Sequence, residues 1–434
     1  MSRIERVHAR QILDSRGHPT VEVDVVLASG ALGRSAVPVG ASTGRYEALE
    51  VRDGGEAWHG RGVAQAVANV HDTIGPHVVG LDAHEQEALD DILVALDGTS
   101  ALVRLGVNAI LGVSLAVARA DAADAGEPLW RHLASAEPTL PIPMLNVLDG
   151  GVHADNRLLV QEFMLVPIGA ATFSDALRMG SETYHGLGQL LLARGLSRAV
   201  GDEGGYAPAL DSSEAALELL VAAIESAGYR PGVDIALALD AAASELGDVD
   251  RDGYRINGEA EPLTSDELVA YWADLCAHYP IVSLEDALGE QDWSGWRGLT
   301  QRLGSHVQLV GDDLFVTHAS LVQLAIDQGI ANAVVIKPNQ VGTLTRTLET
   351  IRLAHAAGYA TVMAHRAGDT EDTTIADLAV AAGCRFIKAG GPARSERVGK
   401  YNRLLRIEEQ LSPGPRFAAR PGQTRPAPGT GPRR

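Results

Sequence analysis

One local pattern recurs through the second half of the chain, and it restricts the fold more than any other feature of the sequence. Short apolar runs each end in a charged or polar residue, and a helical pattern separates one run from the next. The unit repeats about every 25 residues, as expected for strands that alternate with helices in a parallel α/β structure. At one helix, Thr264 and Glu267 have the spacing of a capping box, which predicts the helix start. The apolar runs are 235–239, 280–284, 307–310, 333–336, 360–364 and 385–387.

The segments around this repeat differ in pattern, which predicts three parts. Residues 1–130 begin with strand-like alternation at 20–26 and continue as helices, so we predict an N-terminal α+β domain. Residues 140–410 contain the repeat and are predicted to form an α/β barrel. Residues 411–434 are rich in Pro, Gly and Arg and lack acids, which is typical of a disordered tail. An open doubly wound sheet is the alternative, but the sequence lacks the Gly-rich dinucleotide fingerprint that would favour it.

Charge and composition exclude several classes of function. The net charge is −20 at pH 7, whereas nucleic-acid binders present a basic surface, so no nucleic-acid partner is expected. No stretch reaches the ~20 apolar residues of a membrane helix, and the first residues lack an apolar signal core. Cys276 and Cys384 are expected to be free thiols, as in a reducing compartment. We therefore predict a cytoplasmic protein without a membrane partner.

Three carboxylates follow three of the apolar runs, namely Asp240, Glu285 and Asp312. Each one alone could be a helix cap or a surface charge. The carboxyl ends of parallel barrel strands meet at one mouth, so together they are expected to lie close to one another. Ionised carboxylates held this close repel each other unless a cation neutralises them. Oxygen ligands favour Mg²⁺ or Mn²⁺ over Zn²⁺, and we predict such a site here.

Two lysines and two acids are candidates for proton transfer. Lys337 and Lys388 follow two further apolar runs, where each could also form an ordinary salt bridge. A lysine beside bound dications and a second lysine loses its proton more easily, so either lysine is a candidate for a base that is neutral near pH 7. Glu203 in a Gly-rich loop and Glu162 are candidate proton donors across the pocket.

These motifs resemble those of the enolase family, in order and spacing, over nearly the whole chain up to about residue 406. The resemblance implies a magnesium-dependent hydro-lyase that removes water from 2-phospho-D-glycerate to give phosphoenolpyruvate. It also implies a barrel whose first strands depart from plain βα order, two Mg²⁺ ions per active site and a homodimer. The matching stretches are 12–17, 40–44, 200–208, 283–286, 311–314 and 394–397.

The resemblance implies a role for each candidate residue. The ligands of the tighter metal would be Asp240, Glu285 and Asp312. Proton transfer would involve the base Lys337 and the acid Glu203, with Glu162 and His365 as further catalytic residues. Substrate contacts would come from His153, Gln161, Arg366 and Lys388. These residue types suit the reaction, because a proton beside a carboxylate is acidic only where cations stabilise the dianion that forms.

Five residues depart from the family pattern, all around the implied phosphate and second-metal positions. Val39 and Ala367 replace serines, Asp149 replaces asparagine, and Ala389 and Gly391 replace other residues after Lys388. A pocket that loses hydroxyl groups and gains space would hold a small phosphate less well and could admit a bulkier phosphorus group.

The departures leave an alternative substrate open. It is a 2-phosphoglycerate analogue such as 2-phosphonoformylglycerate, which an enolase-like biosynthetic dehydratase of a phosphonate antibiotic pathway would convert to carboxyphosphonoenolpyruvate. A non-catalytic binding protein would have no need of Lys337, Glu203 and the three carboxylates. An aldolase that forms a Schiff base through Lys337 would leave those carboxylates without a purpose.

Overall fold

The N-terminal part of the chain is a three-stranded antiparallel sheet covered by helices. A computed structural model describes residues 2–40, 44–134, 137–248, 253–256, 261–411 and 416–417. The sheet consists of β1 (Ile4–Leu13), β2 (Pro19–Leu27) and β3 (Leu32–Ala36). Val21, Val23 and Val25 of β2 are fully buried, since alternate side chains of a strand point to the same face. The strand predicted at 20–26 is thereby confirmed.

One helix, α4, joins the N-terminal sheet to the rest of the protein. Its Val113 and Ala116 belong to the core of the sheet, whereas its Leu111 and Leu115 belong to the larger core that follows. Gly33 of β3 packs so closely on this helix that a Cβ there would lie 2.0 Å from the carbonyl oxygen of Ala116. The helices of this part are α1 (Ala64–Ala68), α2 (Gly75–Val78), α3 (Gln86–Asp97), α4 (Val107–Asp124) and α5 (Leu129–His132).

Eight later strands close into a barrel, which confirms the predicted fold class. They pair in the order β5-β6-β7-β10-β11-β12-β13-β14, and β14 pairs with β5 to complete the ring. The short strands β8 and β9 form a separate hairpin. The strands are β4 (Thr139–Leu140), β5 (Ile142–Asp149), β6 (Glu162–Val166), β7 (Ala236–Asp240), β8 (Gly247–Asp248), β9 (Gly253–Tyr254), β10 (Ile281–Glu285), β11 (Gln308–Gly311), β12 (Ala333–Ile336), β13 (Ala360–Ala364) and β14 (Phe386–Lys388).

Helices alternate with the barrel strands after β7. The capping box predicted at Thr264 is present and begins α9, with Glu267 and Thr264 each accepting a backbone N–H from the other. None of the helices in the described ranges combines the length and apolar character needed to cross a membrane. The helices are α6 (Phe173–Ala193), α7 (Ser213–Ser226), α8 (Ala243–Leu246), α9 (Ser265–His278), α10 (Trp293–Leu303), α11 (Ala319–Gln328), α12 (Leu344–Ala356), α13 (Thr374–Ala381) and α14 (Ser395–Gln410).

The second barrel strand runs in the opposite direction to both of its neighbours. β6 is antiparallel to β5 and to β7, and the other pairs of the ring are parallel. Its first residue, Glu162, is therefore paired with Asp149 and Asp240, the last residues of β5 and β7. The reversal brings the beginning of one strand to the mouth that the ends of the other strands form.

Two residues of the predicted disordered tail belong to the fold. Arg416–Phe417 form β15, which pairs in parallel with β4. Phe417 is buried, and its ring lies edge-on to that of Phe173, with the centroids 6.4 Å apart. The prediction is wrong at these residues because Phe417, the one aromatic residue after residue 411, finds an apolar site beside α6. Residues 412–415 and 418–434 lie outside the described residues, and the domain boundaries at 130, 140 and 410 stay predictions.

Replacing Phe417 with Ala is expected to lower the free energy of unfolding by about 3 kcal/mol, because a buried aromatic ring is lost. Urea unfolding followed by circular dichroism measures the change. Leu324→Ala serves as the control, since Leu324 is exposed and its loss should cost less than about 0.5 kcal/mol. Equal stability of the Phe417→Ala variant and the wild type would contradict a structural role for β15.

Candidate active site

The carboxyl ends of the barrel strands surround a polar cavity that contains nearly all of the predicted site residues. Gly40 of the N-terminal part also lines it, so both parts of the chain contribute. Glu285 is the one predicted residue outside the lining, and it lies directly behind Lys388. The predicted residues that line the cavity are His153, Gln161, Glu162, Glu203, Asp240, Asp312, Lys337, His365, Arg366 and Lys388.

Lys388 is surrounded by carboxylates. Its Nζ lies 2.6 Å from Oδ2 of Asp240, 2.8 Å from Oε1 of Glu285 and 3.2 Å from Oε1 of Glu162. Burial alone would lower the pKa of Lys388, but these carboxylates outweigh it and raise the pKa well above the ordinary value. The side chain of Lys388 is therefore a positive charge that its contacts with three carboxylates hold in place.

The three predicted metal ligands lie on adjacent strands. Asp240 and Glu285 are paired in the register of β7 and β10, and Asp312 follows β11, the next strand of the ring. Asp286 holds Asp312 in place, because its carboxylate accepts the backbone N–H groups of Asp312 and Asp313, both at 2.9 Å. Asp286 has a left-handed φ of 42°, a strained conformation that non-glycine residues keep only where the surroundings impose it.

The donor set fits a hard divalent cation. All three side chains offer carboxylate oxygens, the ligands that Mg²⁺ prefers. Glu285 is fully buried, yet its Oε2 has no hydrogen-bond partner among the described residues. A buried carboxylate oxygen without a partner is costly, and a cation would satisfy it. Asp312 also comes within 4.8 Å of Asp286 and Asp313, so acidic oxygens are dense at this side of the cavity.

Lys337 forms an ion pair with Asp312. Burial alone would lower its pKa, but the contact with the Asp312 carboxylate outweighs burial, and the pKa of Lys337 is raised. A neutral Lys337 beside a bound dication stays a prediction.

Two histidines contact the predicted acid Glu203, and one of them, His153, also faces Glu162. Nε2 of His365 lies 3.0 Å from Oε2 of Glu203, and Nε2 of His153 lies 3.6 Å from Oε1 of Glu203. Nδ1 of His153 faces Glu162 at 3.7 Å. Burial and the charge of Glu203 raise the pKa of Glu162 well above its usual range. Burial would raise the pKa of Glu203 as well, but His153, His365 and Arg397 outweigh it and hold that pKa well below the ordinary value. The pair thus holds its proton on Glu162.

The burial of His365 predicts a loss of stability in acid. Burial lowers the pKa of His365 to about 4 from 6.5 in the unfolded chain. As the pH falls from 6.5 to 4, the unfolded chain therefore binds a proton that the folded protein does not, and the folded state loses up to about 3 kcal/mol. Urea unfolding at several pH values measures this slope. The His365→Gln variant should have a flatter slope, and an unchanged slope would contradict the assignment.

Arg366 and Gln161 complete the predicted lining. Two N–H groups of Arg366 donate to the carboxylate of Glu47, at 3.0 and 3.2 Å, and one donates to Oδ1 of Asn339 at 3.1 Å. The backbone N–H of Gln161 donates to the carbonyl of Asp240 at 3.0 Å, and its side-chain Oε1 is buried without a hydrogen-bond partner among the described residues. The side chain of Arg366 is therefore fixed at the cavity, whereas Oε1 of Gln161 is left to contact a ligand.

Sequence reasoning missed several residues of this site. Glu47 belongs to the N-terminal part, and its one signal is its position three residues after the Gly44 loop. Asn339 follows Lys337 closely in the chain, and Arg397 lies in the matching stretch 394–397, but neither was given a role. Residues 41–43 of the predicted loop at 40–44 lie outside the described residues.

Comparisons with known proteins identify the family. The model of the enolase C-terminal TIM barrel domain matches residues 137–425, and that of the enolase N-terminal domain matches residues 4–133. The chain belongs to the enolase family. A curated relative, the enolase of Acidothermus cellulolyticus, is 56% identical over 419 residues, which are 96% of this chain and 97% of the relative.

The departures from the enolase pattern do not all line the described cavity. Ala367 lines the cavity, but Val39 does not, and its backbone pairs with Gly368 in both directions, at 2.7 and 2.8 Å. A Cβ at Gly391 would lie 2.6 Å from the carbonyl oxygen of Gly204. The space beside this glycine is therefore already occupied by the backbone.

Asp149 also fits the enolase pattern in spite of its charge. It is fully buried, and burial and the nearby Glu203 raise the pKa of Asp149 well above the ordinary value. A neutral aspartic acid has nearly the shape of the asparagine that it replaces. The comparisons do not support the biosynthetic alternative.

Proposed function

We propose that this enolase-family protein removes water from 2-phospho-D-glycerate to give phosphoenolpyruvate, with Mg²⁺ as its cofactor. The observation that carries the proposal is the position of the base and the acids around one cavity. Lys337 follows β12, and Glu162 begins β6, which is four strands away in either direction around the eight-stranded ring. Glu203 contacts His153 and His365 between them. A base and an acid that reach one substrate from different sides suit an elimination.

Lys337 is proposed to remove the proton from the carbon beside the substrate carboxylate. The C–H electron pair then moves into the carboxylate, which becomes a dianion, and the proton stays on Nζ. The fixed charge of Lys388 stabilises this dianion as it forms. The contact with Asp312 holds the side chain of Lys337 at the cavity.

Glu203 is proposed to protonate the leaving hydroxyl group. The dianion collapses to the carbon–carbon double bond, and the hydroxyl departs as water with the proton of Glu203. Since the resting pair holds its proton on Glu162, substrate binding has to place a proton on Glu203. His153, which faces both carboxylates, is the group between them.

Asp240, Glu285 and Asp312 are proposed to hold the tighter Mg²⁺, with a second Mg²⁺ nearby. When bound, the metal would place positive charge beside the substrate carboxylate and beside Lys337. Arg366 and Gln161 are proposed to contact the substrate. Homodimeric assembly, a cytoplasmic location and the absence of a nucleic-acid partner stay predictions.

The test is turnover of 2-phospho-D-glycerate, followed by the absorbance of the enol ester. We expect turnover with Mg²⁺, its loss on addition of EDTA, and its return with excess Mg²⁺. Near-zero turnover with Mg²⁺, combined with slow solvent exchange of the α-proton, would contradict the proposed substrate while leaving the base in place.

Ala367→Ser is expected to lower KM for 2-phospho-D-glycerate about fivefold. Ala367 lines the cavity beside Arg366, and a serine there adds one hydrogen bond to an anionic group. Steady-state kinetics measure the change. Val39→Ser is the matched control and should leave KM unchanged, because Val39 is not among the described residues that line the cavity. A lower KM in the control alone would reverse this assignment.

A further inference from the structure

Arg397 is a fully buried charge that joins three segments around the site. It lies in the first turn of α14, and its side chain is 0% exposed. One N–H of Nη1 donates to the carbonyl of Arg366 at 2.6 Å, and Nη2 donates to the carbonyl groups of Ala367 and Asp202. The other contact of Nη1 is a ring nitrogen, Nδ1 of His365, at 2.6 Å.

This last contact determines where the proton of His365 lies. A guanidinium group stays protonated in proteins and has donors but no acceptor. The nitrogen that it contacts must therefore carry a lone pair, and in a neutral imidazole the proton is then on the other nitrogen. Nδ1 of His365 is consequently the acceptor and Nε2 carries the proton. The pKa of His365, which burial lowers to about 4, agrees with a neutral ring.

The position of this proton acts on Glu203. Nε2 of His365 lies 3.0 Å from Oε2 of Glu203, and as an N–H group it must donate to that oxygen. An oxygen that accepts this hydrogen bond is the poorer place for the proton of a carboxylic acid. The proton that Glu203 delivers is thereby directed to Oε1, the oxygen that His153 faces.

We propose that Arg397 is a positioning residue that fixes the Nε2–H tautomer of His365 and so selects Oε1 of Glu203 as the oxygen that donates the proton to the leaving hydroxyl. Arg397 itself touches no reacting atom. The inference rests on the proposed function, because it assigns a task to the acid of that reaction. A fixed tautomer is worth much to a catalytic group, since a ring in the wrong tautomer cannot make the same hydrogen bond.

The tautomer is measured in the full-length, Mg²⁺-loaded enzyme with ¹⁵N-labelled histidine rings. The chain has 14 histidines, and the signals that disappear in His365→Gln assign the ring. We expect a deprotonated Nδ1 and a protonated Nε2 in the wild type. In Arg397→Met the ring should become a mixture of tautomers, and kcat for water loss should fall roughly 10- to 100-fold. Solvent exchange of the α-proton, which needs only Lys337, should persist.

Two further variants separate positioning from packing. Arg397→Lys keeps a donor and should retain the tautomer and recover part of kcat. Arg394→Met removes another arginine at the start of α14, which donates to the carbonyl groups of Ser15 and Gly201 and not to His365. Its His365 signature should match that of the wild type.

A wild-type His365 with a protonated Nδ1 overturns the proposal, as does an unchanged tautomer in Arg397→Met. If Arg397→Met does not fold, the tautomer of His365 in the wild type and in Arg397→Lys still tests the proposal. An inactive wild type with the expected tautomer would instead count against the proposed function.

Discussion

Replacing Lys337 with Met is expected to lower kcat for 2-phospho-D-glycerate by about 10²- to 10⁴-fold, the share that a positioned general base contributes. The same change should abolish solvent exchange of the α-proton, because Lys337 is the proposed base for that proton. The ammonium group of Lys337 is buried beside Asp312, so the fold of the variant is checked by urea unfolding. Steady-state turnover and deuterium incorporation into 2-phospho-D-glycerate are the two measurements.

Glu203→Gln is the matched comparison for Lys337→Met. The amide keeps the size of the side chain and removes the acid, so water loss should fall to a similar extent while exchange of the α-proton continues. Lys337 would then be assigned to the first proton transfer and Glu203 to the second. Persistent exchange in Lys337→Met, or its disappearance in Glu203→Gln, would show that the two roles are wrongly distributed.

Glu285→Gln raises the Mg²⁺ concentration needed for half-maximal turnover by about 100-fold. The change removes one of the three carboxylates that face the predicted cation. Removing one partner from a buried set of opposite charges costs about 3 kcal/mol, here taken from the free energy of Mg²⁺ binding. Turnover at increasing Mg²⁺ gives the shift, and calorimetric titration of the protein with Mg²⁺ gives it without substrate. Lys388 keeps its contacts with Asp240 and Glu162 in the variant.

Glu245→Gln provides the control for the loss of charge. Glu245 is an exposed residue of α8, close in the chain to Asp240 but outside the cavity lining. Its Mg²⁺ requirement should stay within about twofold of the wild-type value, as for most surface substitutions. If both variants shift equally, the effect is one of net charge and Glu285 is not a ligand.

The sequence was sufficient to predict the site residues that each lie at the carboxyl end of a single barrel strand. Asp240, Glu285 and Asp312 could be placed together because the ends of parallel strands meet at one mouth, whatever the details of packing. The same reasoning placed Lys337 and Lys388 at the mouth. The position of Glu162 was harder, because it begins its strand and reaches the mouth only through the reversal of β6.

Contacts between distant segments could not be predicted. The pairing of Arg366 with Glu47 joins the barrel to the N-terminal part, and the contact of Arg397 with His365 depends on where α14 docks. The ion pair of Lys337 with Asp312 depends on how β11 and β12 pack, which spacing along the chain does not give. Phe417 was assigned to a disordered tail because composition describes the tail as a whole and not its one apolar anchor.

The closure of the ring has a consequence for how the protein is made. β5 leaves the ribosome long before β14, the strand with which it must pair. Until then a nascent barrel has two open strand edges, which are templates for association with other chains. Lys388 is the last residue of β14. A chain arrested before β14 should therefore lack the ammonium group of Lys388, and its open strand edges should make it aggregate during synthesis.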